Sequence, residues 1–329
     1  MTNYPDGSND ESWDISKRPH TREKLEILRK CFDVWLTIWN GILRKQNWVA
    51  KNWYVIDLFA GRGYYSDRGS EISGSPLIFL EEIAQKADRL EPGLHINLFF
   101  IEGKQSNYDI LRYRIDKIIK DNPQLIDIVR ISCYNEDCNN HVDEVIRQIT
   151  NSSKNPIFTF IDPYGIKIRR NTVEKLVRLR NPKDIILNYM LEGIRRTTGI
   201  AKKVYGGFDV SSQEKKSVDT LLEFIGEDID IVDTEGNRIL DVDLLQDYVD
   251  AVFISHNLEV VVYDMKYPSR NDIIYYLLFA CKNEKVANVV HDIYARQKRN
   301  QSEPLLPIFG EDYYRDSIMR FAKISRNRR

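Results

Sequence analysis

The feature that most limits the possible folds is an alternation of short apolar runs with segments of helical periodicity. Strand-like runs rich in β-branched and aromatic residues are followed by stretches in which apolar residues recur every three or four positions. This order is typical of a parallel sheet whose strands are joined by crossover helices. It predicts an α/β fold with a doubly wound, Rossmann-like sheet.

Residues 22–43 are predicted to form a long N-terminal helix, because their apolar side chains make one wide stripe. The segment 264–272 contains Pro268 and suits a hairpin-type loop, so the sheet is expected to be mostly parallel with its last strand antiparallel. Further helices are predicted near 76–90, 105–120, 139–150 and 171–179, and strands at 53–58, 95–101, 126–132, 157–161, 185–189, 258–263 and 273–281.

The chain is predicted to have four regions. Residues 1–50 form an arm and the N-terminal helix, and residues 51–190 form the Rossmann-like, ligand-binding core. Residues 191–250 are a helical, acidic insertion, and residues 251–329 hold the last strands and a basic tail. Loops that leave the carboxyl ends of parallel strands line the binding crevice, so the insertion is a candidate lid for a substrate or partner.

The composition is that of an ordinary globular protein, with 42% hydrophobic and 29% charged residues. No apolar run approaches the roughly 20 residues that cross a bilayer, and residues 1–11 lack an apolar signal segment. A cytoplasmic location is therefore expected. The 4 cysteines form no CxxC pair, so reduced thiols and no metal site are expected.

Charge is distributed unevenly, although the formal net charge is only -1. Residues 160–205 contain 11 Lys and Arg against 4 acids, whereas residues 206–264 contain 15 acids against 3 bases. The basic block could track phosphates, and the acidic block could dock a basic partner.

The strongest sign of a ligand site is a strand that ends in an acid and a glycine-rich turn, Asp-Leu-Phe-Ala-Gly-Arg-Gly. Gly61 and Gly63 allow a sharp bend and a close approach of backbone to ligand. A nicotinamide motif would need a third glycine where Ser66 stands, and no P-loop Lys follows. The cofactor favoured is therefore S-adenosylmethionine (SAM), held by Asp57, Phe59, Ala60, Gly61 and Gly63.

Two other strand ends supply further candidates for the cofactor site. Glu102 follows the second strand, where an acid can bind a ribose diol. Asn135 and Asp137 follow the third strand and are candidates for contact with an adenine amine. Asp162, which follows the fourth strand, is also predicted to contact the cofactor.

The fourth strand leads into Asp162-Pro163-Tyr164-Gly165, which predicts the catalytic loop. The Asp162 carboxylate and the Pro163 carbonyl can accept hydrogen bonds from an exocyclic amine, while the Tyr164 ring stacks on the base. Such a loop accelerates the transfer of a group to the amine, because it positions the amine and stabilises the charge that develops on it.

The sequence resembles the three-Cys-motif partner (TcmP) family of predicted methyltransferases. The resemblance rests on the helical stretch from His20 to Trp39, Asp-Leu-Phe-Ala-Gly-Arg-Gly, Gly-Ser-Pro-Leu at 74–77, Phe-Ile-Glu at 100–102, Phe-Ile-Asp-Pro-Tyr-Gly at 160–165, Ile-Leu-Asn at 186–188 and Tyr-Tyr-Leu-Leu-Phe-Ala at 275–280. It implies a SAM-binding methyltransferase sheet, to which a final antiparallel strand is added, and a protein partner that carries the three-Cys motif.

The Asp-Pro-Tyr-Gly motif also resembles that of tRNA guanine amino-methyltransferases, with one proline in place of two. The favoured function is therefore methylation of an exocyclic amine of an RNA or DNA base. A protein or small-molecule methyltransferase, or a non-catalytic SAM-binding subunit of a two-protein and possibly phage-defence system, remain as alternatives. Residues predicted to contact the nucleic acid are Tyr164, Gly165, Lys167, Arg169, Arg170, Arg195 and Arg196, with the basic residues of the tail adding to them.

Overall fold

A computed structural model describes residues 13–16, 19–46, 48–233, 239–267, 272–301 and 318–321. The chain divides into two compact units. The first contains residues 1–161 and 180–185, and the second contains residues 162–179 and 186–329. Strand β7 (Lys183–Tyr189) therefore contributes residues to both units.

The first unit contains the N-terminal helix and the parallel strands around the glycine-rich turn. Its helices are α1 (Pro19–Lys45), α2 (Ser75–Lys86), α3 (Gln105–Asp121), α4 (Leu125–Ile128) and α5 (Cys138–Gln148). Its strands, besides the start of β7, are β1 (Asn52–Asp57), β2 (Tyr64–Asp67), β3 (Ser70–Ser73), β4 (His95–Ile101), β5 (Val129–Tyr134) and β6 (Ile157–Ile161).

Strand order in the first unit is that of a Rossmann-like sheet. Hydrogen-bonded neighbours follow the order β7-β6-β1-β4-β5. Strand β1 is parallel to β4 on one side and to β6 on the other, and Asp57 lies opposite Phe100 and Phe160. The strand order reverses beside β1, and ligands of such sheets bind at the carboxyl ends of the strands that flank this switch point.

Helix α1 packs on the sheet through aromatic side chains. The Phe32 ring lies 4.7 Å from the ring of Phe79 on α2 and 5.2 Å from that of Phe158 on β6. The Trp35 ring lies 5.5 Å from that of Trp53 on β1. These residues are almost fully buried, which confirms the predicted amphipathic helix and its inward face.

The second unit carries α6 (Arg170–Val177), α7 (Leu191–Tyr205), α8 (Ser212–Ile225), α9 (Asp241–Val252), β8 (Glu259–Lys266), β9 (Ile273–Cys281), α10 (Glu284–Gln301) and β10 (Ile318–Phe321). Strand order is β10-β8-β9-β7, and β9 is antiparallel to β8. A stacked pair of rings, Phe224 on α8 and Tyr248 on α9, packs against Tyr189 on β7. The predicted fold class, with its antiparallel last strand and helical insertion, is confirmed.

Several local predictions differ from the structure. The strand predicted at 126–132 begins only at Val129, because Pro123 opens a helical turn in which the N–H of Ile126 bonds to the Pro123 carbonyl at 3.1 Å. The hairpin β2–β3 and helix α10 were not predicted, and β8 continues to Lys266, into the segment predicted as a loop. Residues 268–271 of that loop and most of the predicted arm and basic tail lie outside the described residues. Within the described part of the chain, no helix is both long and apolar enough to cross a membrane.

Stability is expected to depend on the protonation of Asp184, a buried residue of β7. Burial raises the pKa of this carboxyl from 3.8 to about 7. Between those two values the folded chain binds more protons than the unfolded chain, so stability falls as pH rises through this window and levels off above it. Asp184→Asn removes the charge, so we expect it to increase the free energy of unfolding at pH 8 by up to about 4 kcal/mol relative to the parent chain.

Urea unfolding at pH 5 and pH 8 measures this difference. The gain from Asp184→Asn is expected to shrink at pH 5, whereas Asp219→Asn, at an exposed position of α8, should change little at either pH. A gain from Asp184→Asn that is the same at both pH values would contradict the assignment.

Candidate functional site

The turn that leaves β1 is fastened to both neighbouring strands. Asp57 is fully buried, and its Oδ1 accepts a hydrogen bond from the N–H of Phe59 at 3.2 Å. The N–H of Leu58 donates to the Phe160 carbonyl at 3.2 Å, and the N–H of Ala60 donates to the Ile101 carbonyl at 2.9 Å. The turn is thus held at the switch point of the sheet, where a ligand is expected.

Both glycines of the turn adopt a backbone conformation that other residues rarely adopt. Gly61 has φ 61° and Gly63 has φ 81°. The N–H of Gly74, before α2, donates to the Gly63 carbonyl at 2.7 Å, and a Cβ on Gly74 would lie 2.9 Å from the Gly63 carbonyl carbon. The sharp bend predicted from the sequence is therefore present, and the backbone at Gly63 lies close to that at Gly74, whereas a close approach to a ligand remains a prediction.

Two residues of the site were not predicted, Trp13 and Arg62. A Cβ on Gly61 would lie 2.8 Å from Cη2 of Trp13, so the indole covers this side of the turn. Arg62 is 2% exposed, and its guanidinium carbon lies 4.7 Å from both the Trp13 and the Tyr64 ring centroids. Cation–π contacts of a desolvated Arg are favourable. The sequence showed Arg62 only as the variable residue between two glycines.

The ends of β4 and β5 meet beside the turn. Oε1 of Glu102 accepts hydrogen bonds from the N–H of Lys104 at 2.8 Å and from Nδ2 of Asn107 at 3.3 Å. Nδ2 of Asn135 donates to the Glu102 carbonyl at 2.8 Å. The structure therefore brings Glu102 and Asn135 together, at the same edge of the sheet as Asp57.

Asp137 has a structural contact that was not predicted from the sequence. It is the N-cap of α5, and its Oδ1 accepts a hydrogen bond from the N–H of Asn139 at 2.8 Å. Such a cap stabilises a helix by about 1 kcal/mol. Contact of Asp137 with an adenine amine remains a prediction.

The predicted catalytic loop begins the second unit. Nδ2 of Asn188, a buried residue at the end of β7, donates to Oδ1 of Asp162 at 2.7 Å and so orients the carboxylate. Pro163 is buried, whereas Tyr164 is 84% exposed. Nζ of Lys167 lies 5.7 Å from the Tyr164 ring centroid. Asn188 was not among the predicted site residues, although it belongs to one of the motifs that resemble the TcmP family.

Many bases of the predicted phosphate-tracking stretch pair with acids of the same unit. Arg169 contacts Glu223 at 3.1 Å, and Arg195 contacts Asp241 at 2.5 Å. Arg170 contacts Glu174 at 2.6 Å and also pairs with Asp228, and it holds the pKa of the Asp228 carboxyl below its usual value. The acidic block thus neutralises part of the basic block.

Other predicted substrate contacts have exposed side chains. Lys167 and Arg196 are exposed, and Gly165 has φ 75° with open space where a Cβ would stand. The charged tail residues Arg315, Lys323, Arg326, Arg328 and Arg329 lie outside the described residues, and of Arg320 only the backbone, in β10, is described.

A cavity of about 360 Å³ lies elsewhere, among α3, α4 and β5. Its lining includes Arg112, Lys120 and Cys133 and none of the predicted site residues. Burial raises the pKa of the Cys133 thiol to about 11, which keeps it protonated and a poor nucleophile at neutral pH. Within the described residues, no group of three or more His, Cys, Asp or Glu side chains is arranged to hold a metal ion.

Comparisons with known proteins leave the family open. No protein-family model matches the chain, and no curated protein matches it, so membership of the TcmP family stays a prediction. Among solved structures, the chain is similar to DszA carbon methyltransferase at 12% identity and a TM-score of 0.35, over 70% of this chain and 47% of that one. The chain thus spans about half the length of that protein.

Two further structures show similarity of the same order. A protein from Legionella pneumophila str. Philadelphia 1 is 8% identical with a TM-score of 0.41, over 81% of this chain and 90% of that one. Precorrin-6y C5,15-methyltransferase from Geobacter metallireducens GS-15 is 12% identical with a TM-score of 0.30, over 75% and 87% of the two chains. Similarity at this level assigns no activity to this chain.

The contact between Trp13 and Gly61 can be tested by substitution. Gly61→Ala and Gly69→Ala both place a Cβ at positive φ, 61° and 83°, which costs about 1–2 kcal/mol. Only the first also meets a neighbour, because nothing lies within 4 Å of a Cβ at Gly69. Gly61→Ala is therefore expected to lose a further ~1–3 kcal/mol of unfolding free energy through overpacking.

A double-mutant cycle measures this extra loss. Combining Trp13→Ala with Gly61→Ala should recover most of it, whereas combining Trp13→Ala with Gly69→Ala should recover none. Equal coupling energies in the two cycles would show that the indole does not cover Gly61.

Proposed function

We propose that this chain is a SAM-dependent methyltransferase that acts on an exocyclic amine of a nucleic-acid base. The observation that carries the proposal is the turn after β1. It is fixed between β4 and β6, contains Gly61 and Gly63 at positive φ, and has Glu102 at the neighbouring strand end.

The residues around this turn fit an adenosyl-sulfonium ligand. Gly61 and Gly63, at positive φ, give the turn the sharp bend that a backbone cradle for such a ligand needs. An acid at the end of β4 favours a ribose diol and disfavours a phosphate in its place. Asp57 and Asn135 add a carboxylate and an amide at the same sheet edge. Phe59 and Ala60 contribute backbone to the turn.

The cofactor, when bound, supplies an electrophilic methyl group on a positively charged sulfur. The chain has to orient the acceptor nitrogen and to exclude water from the site. The Asp162 carboxylate, oriented by the amide of Asn188, can accept one amine N–H, and the Pro163 carbonyl can accept the other. The exposed Tyr164 ring can stack on the base that carries the amine. Positioning of this kind accounts for a large part of the rate of many enzymes.

A base inside a duplex would have to leave the stack to reach such a loop. Tyr164 is exposed enough to receive a flipped base, and a base that is already unpaired avoids the cost of flipping. Gly165 and Lys167 are expected to contact the flanking nucleotides. A partner with the three-Cys motif and a cytoplasmic location, which the sequence analysis predicts, remain predictions.

The proposal is tested by methyl transfer from SAM with a labelled methyl group. Purified chain is incubated with cellular RNA, DNA and protein, and the label is followed after nuclease or protease digestion. We expect nuclease-sensitive label. Asp162→Ala is expected to lower the rate by about 10²-fold or more, since removal of one fixed polar group from an active site has effects of this size.

Asp219→Ala, at an exposed position of α8, is the matched control and should leave transfer unchanged. Label that survives nuclease but not protease would instead support a protein methyltransferase. SAM binding without transfer to any fraction, with the partner protein supplied, would support the non-catalytic subunit.

A further inference from the structure

The exposed face of α7 differs from the other basic surfaces of the second unit. Arg169, Arg170 and Arg195 are engaged by acids of the same unit. Arg196, Lys202 and Lys203 are exposed, and among the described residues none of these three side chains makes an ion pair or hydrogen bond. Exposed positive charge on α7 therefore remains available to a partner, as it does at Lys215 and Lys216 on α8.

Two large exposed aromatic side chains lie at the C-terminal end of α7 and just after it. Tyr205, the last residue of α7, is 54% exposed, and Phe208 is 69% exposed. The N–H of Phe208 donates to the Lys203 carbonyl at 3.1 Å, and its ring lies against Gly206, where a Cβ would stand 3.0 Å from Cε2 of Phe208. These local contacts thus fix Phe208 in a solvent-exposed position. Lysines near a helix C-terminus are favourable in themselves, but this does not explain two exposed rings beside them.

A glycine interrupts the same face without a packing reason. Gly199 is exposed in the interior of α7, and a Cβ there would meet nothing within 4 Å. Glycine in a helix interior costs about 1 kcal/mol relative to alanine. Arg196, Gly199 and Lys203 follow one another at three- and four-residue steps and so share a face. Because Gly199 has no side chain, an extended, negatively charged chain can approach the helix closely between Arg196 and Lys203.

We propose that the exposed side of α7 and the turn after it, formed by Arg196, Gly199, Lys202, Lys203, Tyr205 and Phe208, binds a single-stranded segment of the nucleic-acid substrate. The three cations contact phosphates, and the two rings stack on unpaired bases. Cationic tracks with aromatic platforms are the usual means of binding single strands, because every base has a face that can stack. This inference rests on the proposed function and names the form in which its substrate is bound.

Equilibrium binding tests the inference without any need for turnover. Fluorescence anisotropy is measured for the full chain with mixed-sequence RNA and DNA oligonucleotides of about 20 nucleotides, single-stranded and duplex, over a range of salt. We expect tighter binding of the single strands, with an affinity that falls as salt increases.

Two variants separate the cations from the rings. Replacing Lys202 and Lys203 together by Ala should weaken binding and reduce the slope of log affinity against log salt by about 1.4, that is ~0.7 for each lost phosphate contact. Phe208→Ala should weaken single-strand binding about 10-fold with little change in slope, since loss of one stacked base has an effect of this order.

Matched controls lie in the same unit. Lys215 and Lys216 are an exposed lysine pair on α8, and Leu240 is 69% exposed, as Phe208 is. Replacing the pair by Ala, or Leu240 by Ala, should leave affinity and slope unchanged. The inference is overturned if the folded parent chain does not bind single strands, if duplex binds as tightly and Phe208→Ala has no effect, or if the control pair weakens binding as much as the α7 pair.

Two further results test which ligand binds to this surface. Binding to anionic vesicles or to an acidic peptide, but to no oligonucleotide, would also overturn the inference. SAM binding and methyl transfer are measured separately. If either is absent while single strands still bind, the proposed activity is contradicted but the proposed nucleic-acid surface is not.

Discussion

The structure depends first on how the backbone leaves β1. Two hydrogen bonds tie the turn to the strands on either side, from Leu58 to Phe160 and from Ala60 to Ile101. Buried Asp57 holds the start of the turn through the N–H of Phe59. Because these bonds run to β4 and β6, the position of the turn is set by the sheet itself. The positive φ values of Gly61 and Gly63 then set the bend of the turn.

Charge complementarity within the second unit determines which cations are left for a partner. The sequence contains an acidic block after a basic block, and acids of α8, of the segment after it and of α9 form ion pairs with Arg169, Arg170 and Arg195. A count of Lys and Arg along the chain would therefore overestimate a nucleic-acid footprint. The exposed cations of α7, together with exposed Phe208, give a narrower and more specific surface.

Much of the fold could be predicted from the sequence, because its strands are buried apolar runs bounded by turn residues. Strand β6 and strand β9 have the predicted bounds. Hairpin β2–β3 was missed because its strands have four residues each, are mostly polar and form a sheet separate from the main one. Helix α4 was read as strand because Ile126 and Ile128 suit either state, and only Pro123 marks the turn.

The candidate site was predictable where it depends on backbone and not where it depends on distant partners. The conformations of Gly61 and Gly63 follow from their residue type. Burial of Arg62 could not be predicted, since it needs Trp13, which lies far away in the sequence, to come over the turn. The ion pair between Arg170 and Asp228 likewise could not be predicted, because it requires the segment after α8 to fold back to Arg170 on α6.

The most direct test of the central claim is a calorimetric titration of the purified full chain with SAM. The account predicts saturable binding with one site per chain, and at least about 10-fold weaker binding for Asp57→Asn, which keeps the shape of the side chain and removes its charge, a loss of ~1.4 kcal/mol. Absence of SAM binding by the folded parent chain would contradict the account.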